Sequence, residues 1–175
     1  MEALVVIANG TEEMEAVITI DVLRRAEIKT TVFSLDRNQV TCSRGVVLVA
    51  DTIEFPTKTF DCIVLPGGLE GAKTFAADER IKDLLNRHLS KLIAVICASP
   101  IALEKWQIHI NSKITSHPSV KDQIKSYQYV NERVVMDKMI TSQGPGTALE
   151  FALEIVKQLK GQQVVDSISK PMIIS

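Results

Sequence analysis

Short aliphatic and β-branched runs alternate along this chain with stretches whose apolar residues recur every three or four positions, and that alternation restricts the fold more than any other feature. A buried parallel strand reads as a continuous apolar run and an amphipathic helix as a stripe, so the order predicts an α/β sandwich with a mostly parallel sheet and helices on both faces. Ala3 to Ala8 is the first strand. Glu13 to Ala26 follows as a helix, striped by Met14, Val17, Ile18 and Val22, with Glu12, Glu13 and Glu15 at its dipole-favoured start. Thr30 to Leu35 reads as a strand, and Val40 to Ser43 with Val46 to Ala50 as a hairpin around Arg44-Gly45 that edges or projects from the sheet. Phe60 to Leu65 is a buried strand ending in Pro66-Gly67-Gly68, the face of Ile81, Leu84, Leu85, His88 and Leu89 is a helix, and Leu92 to Ile96 is a further buried strand. Lys113 to Ser116 and Val134 to Ser142 are short strands. Thr147 and Glu150 read as a capping box for a last long helix, after which the apolar tail Val164 to Ile174 packs on the domain or on a partner.

A chain of 175 residues fits one domain, 1–175, with a continuous core. Hydrophobic residues at 46%, charged residues at 23% and a net charge of -1 speak against both disorder and a nucleic-acid-binding surface. The three cysteines are odd in number and lack CxxC spacing, which argues against a disulfide framework and a structural zinc site and favours a reducing, cytoplasmic compartment. No basic segment precedes the first strand, and its apolar run is too short to span a bilayer, so neither export nor a membrane partner is expected.

In open sheets of this kind the reactive site lies beyond the carboxyl ends of the strands. Cys97 stands there, between Leu92 to Ile96 and the helix-forming run from Ala98, with Pro100 suited to the helix's first turn. A strand-to-helix turn exposes its central side chain to amides and a helix dipole that favour negative charge, so the thiol is expected to ionise readily. Glu15 reaches Cys97 if the first strand and the strand ending at Cys97 are neighbours, and beside a thiolate its carboxyl keeps its proton and donates to sulfur. Amides of Gly67 and Gly68, together with that of Ala98, can hold a developing oxyanion. His117, before Pro118, is placed to act as acid or base. Gly67-Gly68 lacks the first spacing of a dinucleotide fingerprint, which speaks against NAD. Of the other cysteines, Cys62 reads as buried and inert and Cys42 as exposed or interfacial; His88 and His109 read as packed or surface residues without metal-ligand spacing.

The motifs Gly10-Thr11-Glu12-Glu13-Met14-Glu15, Leu65-Pro66-Gly67-Gly68, Ala94-Val95-Ile96-Cys97-Ala98, His117-Pro118 and Thr141-Ser142-Gln143-Gly144-Pro145-Gly146-Thr147 resemble, in order and spacing, the ThiJ/PfpI superfamily. Thr41-Cys42-Ser43-Arg44-Gly45 is similar to the branch of the parkinsonism-associated deglycase and its bacterial YajL-like relatives. The resemblance implies a flavodoxin-like three-layer α/β/α sandwich of glutamine-amidotransferase-like type, usually a homodimer. It makes Cys97 the nucleophile, Glu15 its hydrogen-bonded acid, Gly68 and Ala98 the oxyanion contacts and His117 the nearby imidazole. By position it places Glu12, Arg25 and Arg44 at the pocket mouth and dimer edge. Ser99 stands where the deglycase-type motif has glycine, where a side chain can narrow the pocket, although bacterial relatives carry a small residue there and little loss is expected; Leu69-Glu70 replaces asparagine-leucine at the rim. The implied activity is cofactor-free and metal-free: detoxification of methylglyoxal or glyoxal to lactate or glycolate, or deglycation of protein or nucleotide adducts. The alternative is an oxidative-stress sensor or redox-regulated chaperone working through oxidation of Cys97.

Overall fold

The computed structural model describes residues 1–174. Strands are β1 (Glu2–Ile7), β2 (Lys29–Ser34), β3 (Gln39–Thr41), β4 (Val47–Val49), β5 (Cys62–Leu65), β6 (Leu92–Ile96), β7 (Lys113–Ile114), β8 (Gln128–Tyr129), β9 (Val134–Met136) and β10 (Ile140–Ser142). Helices are α1 (Glu13–Arg25), α2 (Leu69–Ala77), α3 (Glu79–Arg87), α4 (Pro100–Trp106), α5 (Ala148–Lys160) and α6 (Gln162–Ser169). The main sheet runs β2-β1-β5-β6-β10-β9, parallel throughout except for the β10–β9 edge pair. This is the flavodoxin-like order: the chain steps outward from β1 to β2, then returns to build β5, β6 and β10 on the other side. Right-handed crossovers then force α1 onto the face opposite α2, α3 and α4, because the steps run in opposite directions. Contacts agree, with α1 packed on α5 and α2 packed on α4.

The core follows from the apolar runs. Ala3 to Ala8 are all fully buried, as are Cys62 to Leu65 and Ile93 to Ile96, since the central strands have helices on both faces. Each fully buried Val, Leu or Ile side chain contributes about 1.5–3 kcal/mol. The hairpin β3–β4 is a separate two-stranded sheet standing off the main one.

Three local expectations are corrected. Val134 to Ser142 is two antiparallel strands rather than one, the chain reversing where Asp137 N–H donates to Met139 O. The capping box is absent: the Thr147 hydroxyl turns back to Ser142 and Gly144, and Glu150 is drawn instead into a two-pronged pair with Arg133. On α1, Met14 and Val17 of the expected stripe are 50% and 45% exposed, while Glu13, Glu15 and Thr19 are buried with Ala16, Val22 and Leu23. The inner face of α1 takes small residues near the sheet and buries two carboxylates that bond to neighbouring loops.

Candidate active site

The carboxyl ends of β1, β5 and β6 meet where the strand order reverses, the place at which an open α/β sheet leaves a crevice. Cys97 immediately follows β6 with φ +65°, a left-handed conformation that costs a non-glycine residue on the order of 1 kcal/mol or more. Hydrogen bonds on both sides hold it there: Cys97 N–H donates to Ser142 O at 2.9 Å, and Cys97 O accepts from His117 N–H at 2.8 Å. The turn aims the thiol into a cavity of about 330 Å³ walled by Glu12, Gly68, Ala98, His117, Arg44 and Pro145. The Gly68 and Ala98 N–H groups donate toward its sulfur.

Glu15 sits in the first turn of α1 and is fully buried. The strands do not bring it to Cys97 as expected, because β5 lies between β1 and β6. Its carboxyl instead reaches over the end of β5, where Gly67 N–H donates to Oε2 at 2.6 Å. Glycine is required at that crossing: a Cβ on Gly67 would lie 2.5 Å from Cys97 Cβ and 2.7 Å from Glu15 Oε2. Oε1 is buried without a hydrogen-bond partner, and the Cys97 thiol lies beside the carboxyl, both groups crowding the Gly67 Cα. Gly68 has φ +86°, and a Cβ there would strike Gly10 O at 2.1 Å.

Burial pushes Glu15 up to about 8, outweighing the Gly67 N–H and the thiol, which pull it down. Cys97 is also pushed up, to about 12, by burial first and the Glu15 charge second, against the Gly68 and Ala98 N–H groups. This corrects the expected readily ionised thiol, since removal from water outweighs the helix terminus. The Glu15 carboxyl nevertheless retains its proton at neutral pH, which removes its repulsion of a sulfur anion and leaves an acid facing sulfur. The two groups act as one unit that accommodates a single negative charge.

Other expected residues fall on both sides of the line. Gly67 is not a free oxyanion donor, because its N–H is committed to Glu15. His117 lines the cavity, and Ser119 N–H donates to its Nδ1, leaving the proton of the neutral ring on Nε2. Glu12 lines the cavity and caps α1 by accepting from Glu15 N–H at 2.8 Å. Arg44 stands at the mouth, but Arg25 does not: it lies near the far end of α1, about 15 Å along the axis from Glu15, paired with Asp21. Ser99 does not narrow the pocket; it is fully buried and its hydroxyl turns away to Pro66 O. Leu69 and Glu70 do form part of the rim. Cys42 is buried rather than exposed and raised to about 11 by burial and the nearby glutamates, and Cys62 is fully buried and raised. His88 is a buried structural residue, accepting from Phe60 N–H and donating to Leu84 O. Two residues escaped the sequence reading. Ser119 orients His117, and Glu13 accepts from Ser43 Oγ and from the N–H groups of Arg44 and Val46, tying the hairpin to the site. Glu13 stood in a quoted motif, but only the fold shows what it binds. Among the described residues no cluster of His, Cys, Asp or Glu is arranged to hold a metal ion.

Fold and site together define a doubly wound α/β protein with a cysteine on a strained strand-to-helix elbow and a protonated carboxyl beside it. Residues 1–158 match the DJ-1/PfpI family, and the chain belongs to that family. Protein dj-1beta of Drosophila melanogaster is 42% identical, covering 99% of this chain and 97% of the relative. Its crystal structure superposes with a TM-score of 0.96 at 43% identity over 99% of this chain and 98% of that one. A Caenorhabditis elegans relative named glutathione-independent glyoxalase DJR-1.2 is 37% identical, covering 95% of this chain and 92% of its own.

Proposed function

We propose that this protein is a cofactor-free, cysteine-dependent enzyme that converts small reactive dicarbonyls to hydroxy acids, methylglyoxal to lactate or glyoxal to glycolate, and acts on the adducts they form with amines and thiols. The carrying observation is the Glu15 carboxyl, fully buried beside the Cys97 thiol and pushed up to about 8 by that burial, behind a cavity to which the thiol opens and which is at the small end of the range for ligand pockets. The glyoxalase name of the nematode relative points the same way.

Cys97 sulfur adds to the aldehyde carbon, while Glu15 takes the thiol proton and gives its own to the carbonyl oxygen. Gly68 and Ala98 N–H groups meet the charge developing on that oxygen. The hydrogen on the same carbon then moves as a proton to the neighbouring ketone carbon through an enediol, with Glu15 and His117 exchanging protons, to leave a lactate thioester. Water cleaves the C–S bond, releasing lactate and restoring the thiol. Oxidation of one carbon balances reduction of its neighbour, so overall only water is consumed. The test is lactate formation from methylglyoxal without glutathione, in phosphate rather than an amine buffer. Wild type is expected to turn over and Cys97→Ser to be inactive; equal rates would overturn the mechanism.

A second role rests on a separate observation: of the three cysteines only Cys97 opens to the cavity. Two equivalents of peroxide would convert its thiolate to a sulfinate, releasing two waters, with Glu15 donating to a sulfinate oxygen. Mass spectrometry after mild peroxide is expected to find two added oxygens on Cys97; equal oxidation of Cys42 and Cys62 would argue against this role.

The site is proposed to work in a homodimer. Val17 on α1 and Val49 on β4 are exposed and line a groove of about 320 Å³ with Ile20 and Leu48, an apolar strip edged by Asp21, Arg24 and Asp51 and suited to a second copy. Unpaired cysteines accord with a cytoplasmic setting.

A further inference from the structure

Ser99 occupies the N-cap of α4, where a serine side chain ordinarily accepts from the helix's first free N–H groups. Here it does not. Ser99 has a helical backbone, its side chain caps nothing, and its hydroxyl, fully buried, donates to Pro66 O at 2.5 Å. Pro66 C=O and Gly67 N–H are two ends of one planar, resonance-coupled peptide. The other end of that unit donates to Glu15 Oε2 at 2.6 Å.

We propose that Ser99 is a positioning residue that sets the aim and donor strength of the Gly67 N–H toward Glu15, and so acts on the Cys97–Glu15 pair through the Pro66–Gly67 peptide. A hydrogen bond to a carbonyl oxygen draws electron density from the amide nitrogen and strengthens its N–H as a donor, the ordinary cooperativity of linked hydrogen bonds. It also fixes the plane of the peptide where there is no slack: the Gly67 Cα is wedged between Cys97 Cβ and the Glu15 carboxyl, and Gly67 O is held by Glu12 N–H. The relay is local to this wall. Ionisable groups facing the pair are Glu12 from α1, whose charge raises Glu15, and His117, Arg44 and Glu70 around the cavity. Ser99 hydrogen-bonds none of them.

Losing the hydroxyl weakens the Gly67 donor, disfavours the negative charge that the pair must accept, and moves its ionisation to higher pH. The inference rests on the reading of Cys97 and Glu15 as the reactive pair, but its test needs no dicarbonyl turnover. The rate of iodoacetamide alkylation at Cys97, followed by mass spectrometry of its peptide, is measured against pH for wild type, Ser99→Ala and Ser99→Gly. Both variants are expected to shift the midpoint upward by about half a pH unit, slowing alkylation about threefold below it. Glycine is the residue that deglycase-type motifs carry here, so that variant keeps the measurement available if alanine disturbs folding. A volume-filling role would instead leave Ser99→Ala on the wild-type profile and move only Ser99→Gly, and that pattern, or two unshifted profiles, would overturn the proposal. Shifted alkylation profiles with no methylglyoxal turnover by wild type would overturn the catalytic reading and leave this relay standing, whereas turnover with unshifted profiles would overturn the relay alone.

Discussion

Replacing Glu15 by glutamine is expected to stabilise the protein at neutral pH while abolishing its chemistry. The folded chain holds Glu15 up at about 8, whereas unfolded it titrates near 4.5. A group whose folded pKa is raised favours the folded state at low pH, and that advantage is lost as pH rises from the unfolded value through the folded one. Between 4.5 and 7 the unfolded chain releases a proton that the folded chain keeps, at about 1.4 kcal/mol per pH unit, which amounts to about 3 kcal/mol against folding at pH 7. Glutamine has the same shape, its carbonyl can still accept from Gly67 N–H, and it carries no ionisation cost. Its NH2 facing sulfur lacks a good acceptor, which costs back about 1–2 kcal/mol. The net gain at pH 7 is about 1–2 kcal/mol, or about 2–8 °C in Tm for a chain of this size. Thermal unfolding of wild type and Glu15→Gln at intervals from pH 4 to pH 8 reads it. The variant's margin over wild type is expected to grow steadily across that range as turnover falls to background. A margin independent of pH would mean that Glu15 is ionised in the native protein, and the argument for an acid facing sulfur would fail.

Gly67→Ala is expected to lose both turnover and about 2 kcal/mol or more of stability, because its Cβ would overlap Cys97 and Glu15; a calorimetric scan alongside the lactate assay checks this, and a wild-type melt would refute the crowding. Glu13→Gln weakens the bonds that hold Ser43, Arg44 and Val46, costing about 1–2 kcal/mol; limited proteolysis should cut faster within 43–46, and an unchanged digestion pattern would show that Glu13 is not the tether. Val17→Asp places a charge in the exposed α1 face, and sedimentation velocity should show a wild-type dimer become a monomer; a variant that stays dimeric would locate the interface elsewhere. His117→Asn keeps a hydrogen-bonding side chain but removes the imidazole, so turnover should drop about 10²-fold with Cys97 alkylation little changed; equal turnover would remove His117 from the proton exchange.

Much of the architecture could be read from the chain because buried parallel strands have a distinctive composition: Leu4 to Ala8, Ile63 to Leu65 and Ile93 to Ile96 are apolar on both faces and appear as continuous runs. The positions of Cys97, Glu15 and the glycine pair were legible for a related reason, since each falls at the end of such a run or the start of a helix. The stripe of α1 was misread because periodicity records which residues share a face and not which face turns inward. There Met14 and Val17 stay exposed beside Asp21, Arg24 and Arg25, while two buried glutamates bond to loops that are distant in sequence.

Local order alone therefore determined the central buried strands, the helix that follows the first of them and the place of Cys97, Glu15 and the glycine pair at their ends, because those follow from side-chain periodicity. Tertiary structure decided what each group does there. Interposing β5 between β1 and β6 made the Gly67 amide the bridge to Glu15, took that amide away from the oxyanion and set Pro66 O where the Ser99 hydroxyl meets it. Hydrogen bonds and desolvation depend on distances between residues remote in sequence, and those exist only once the sheet has chosen its strand order.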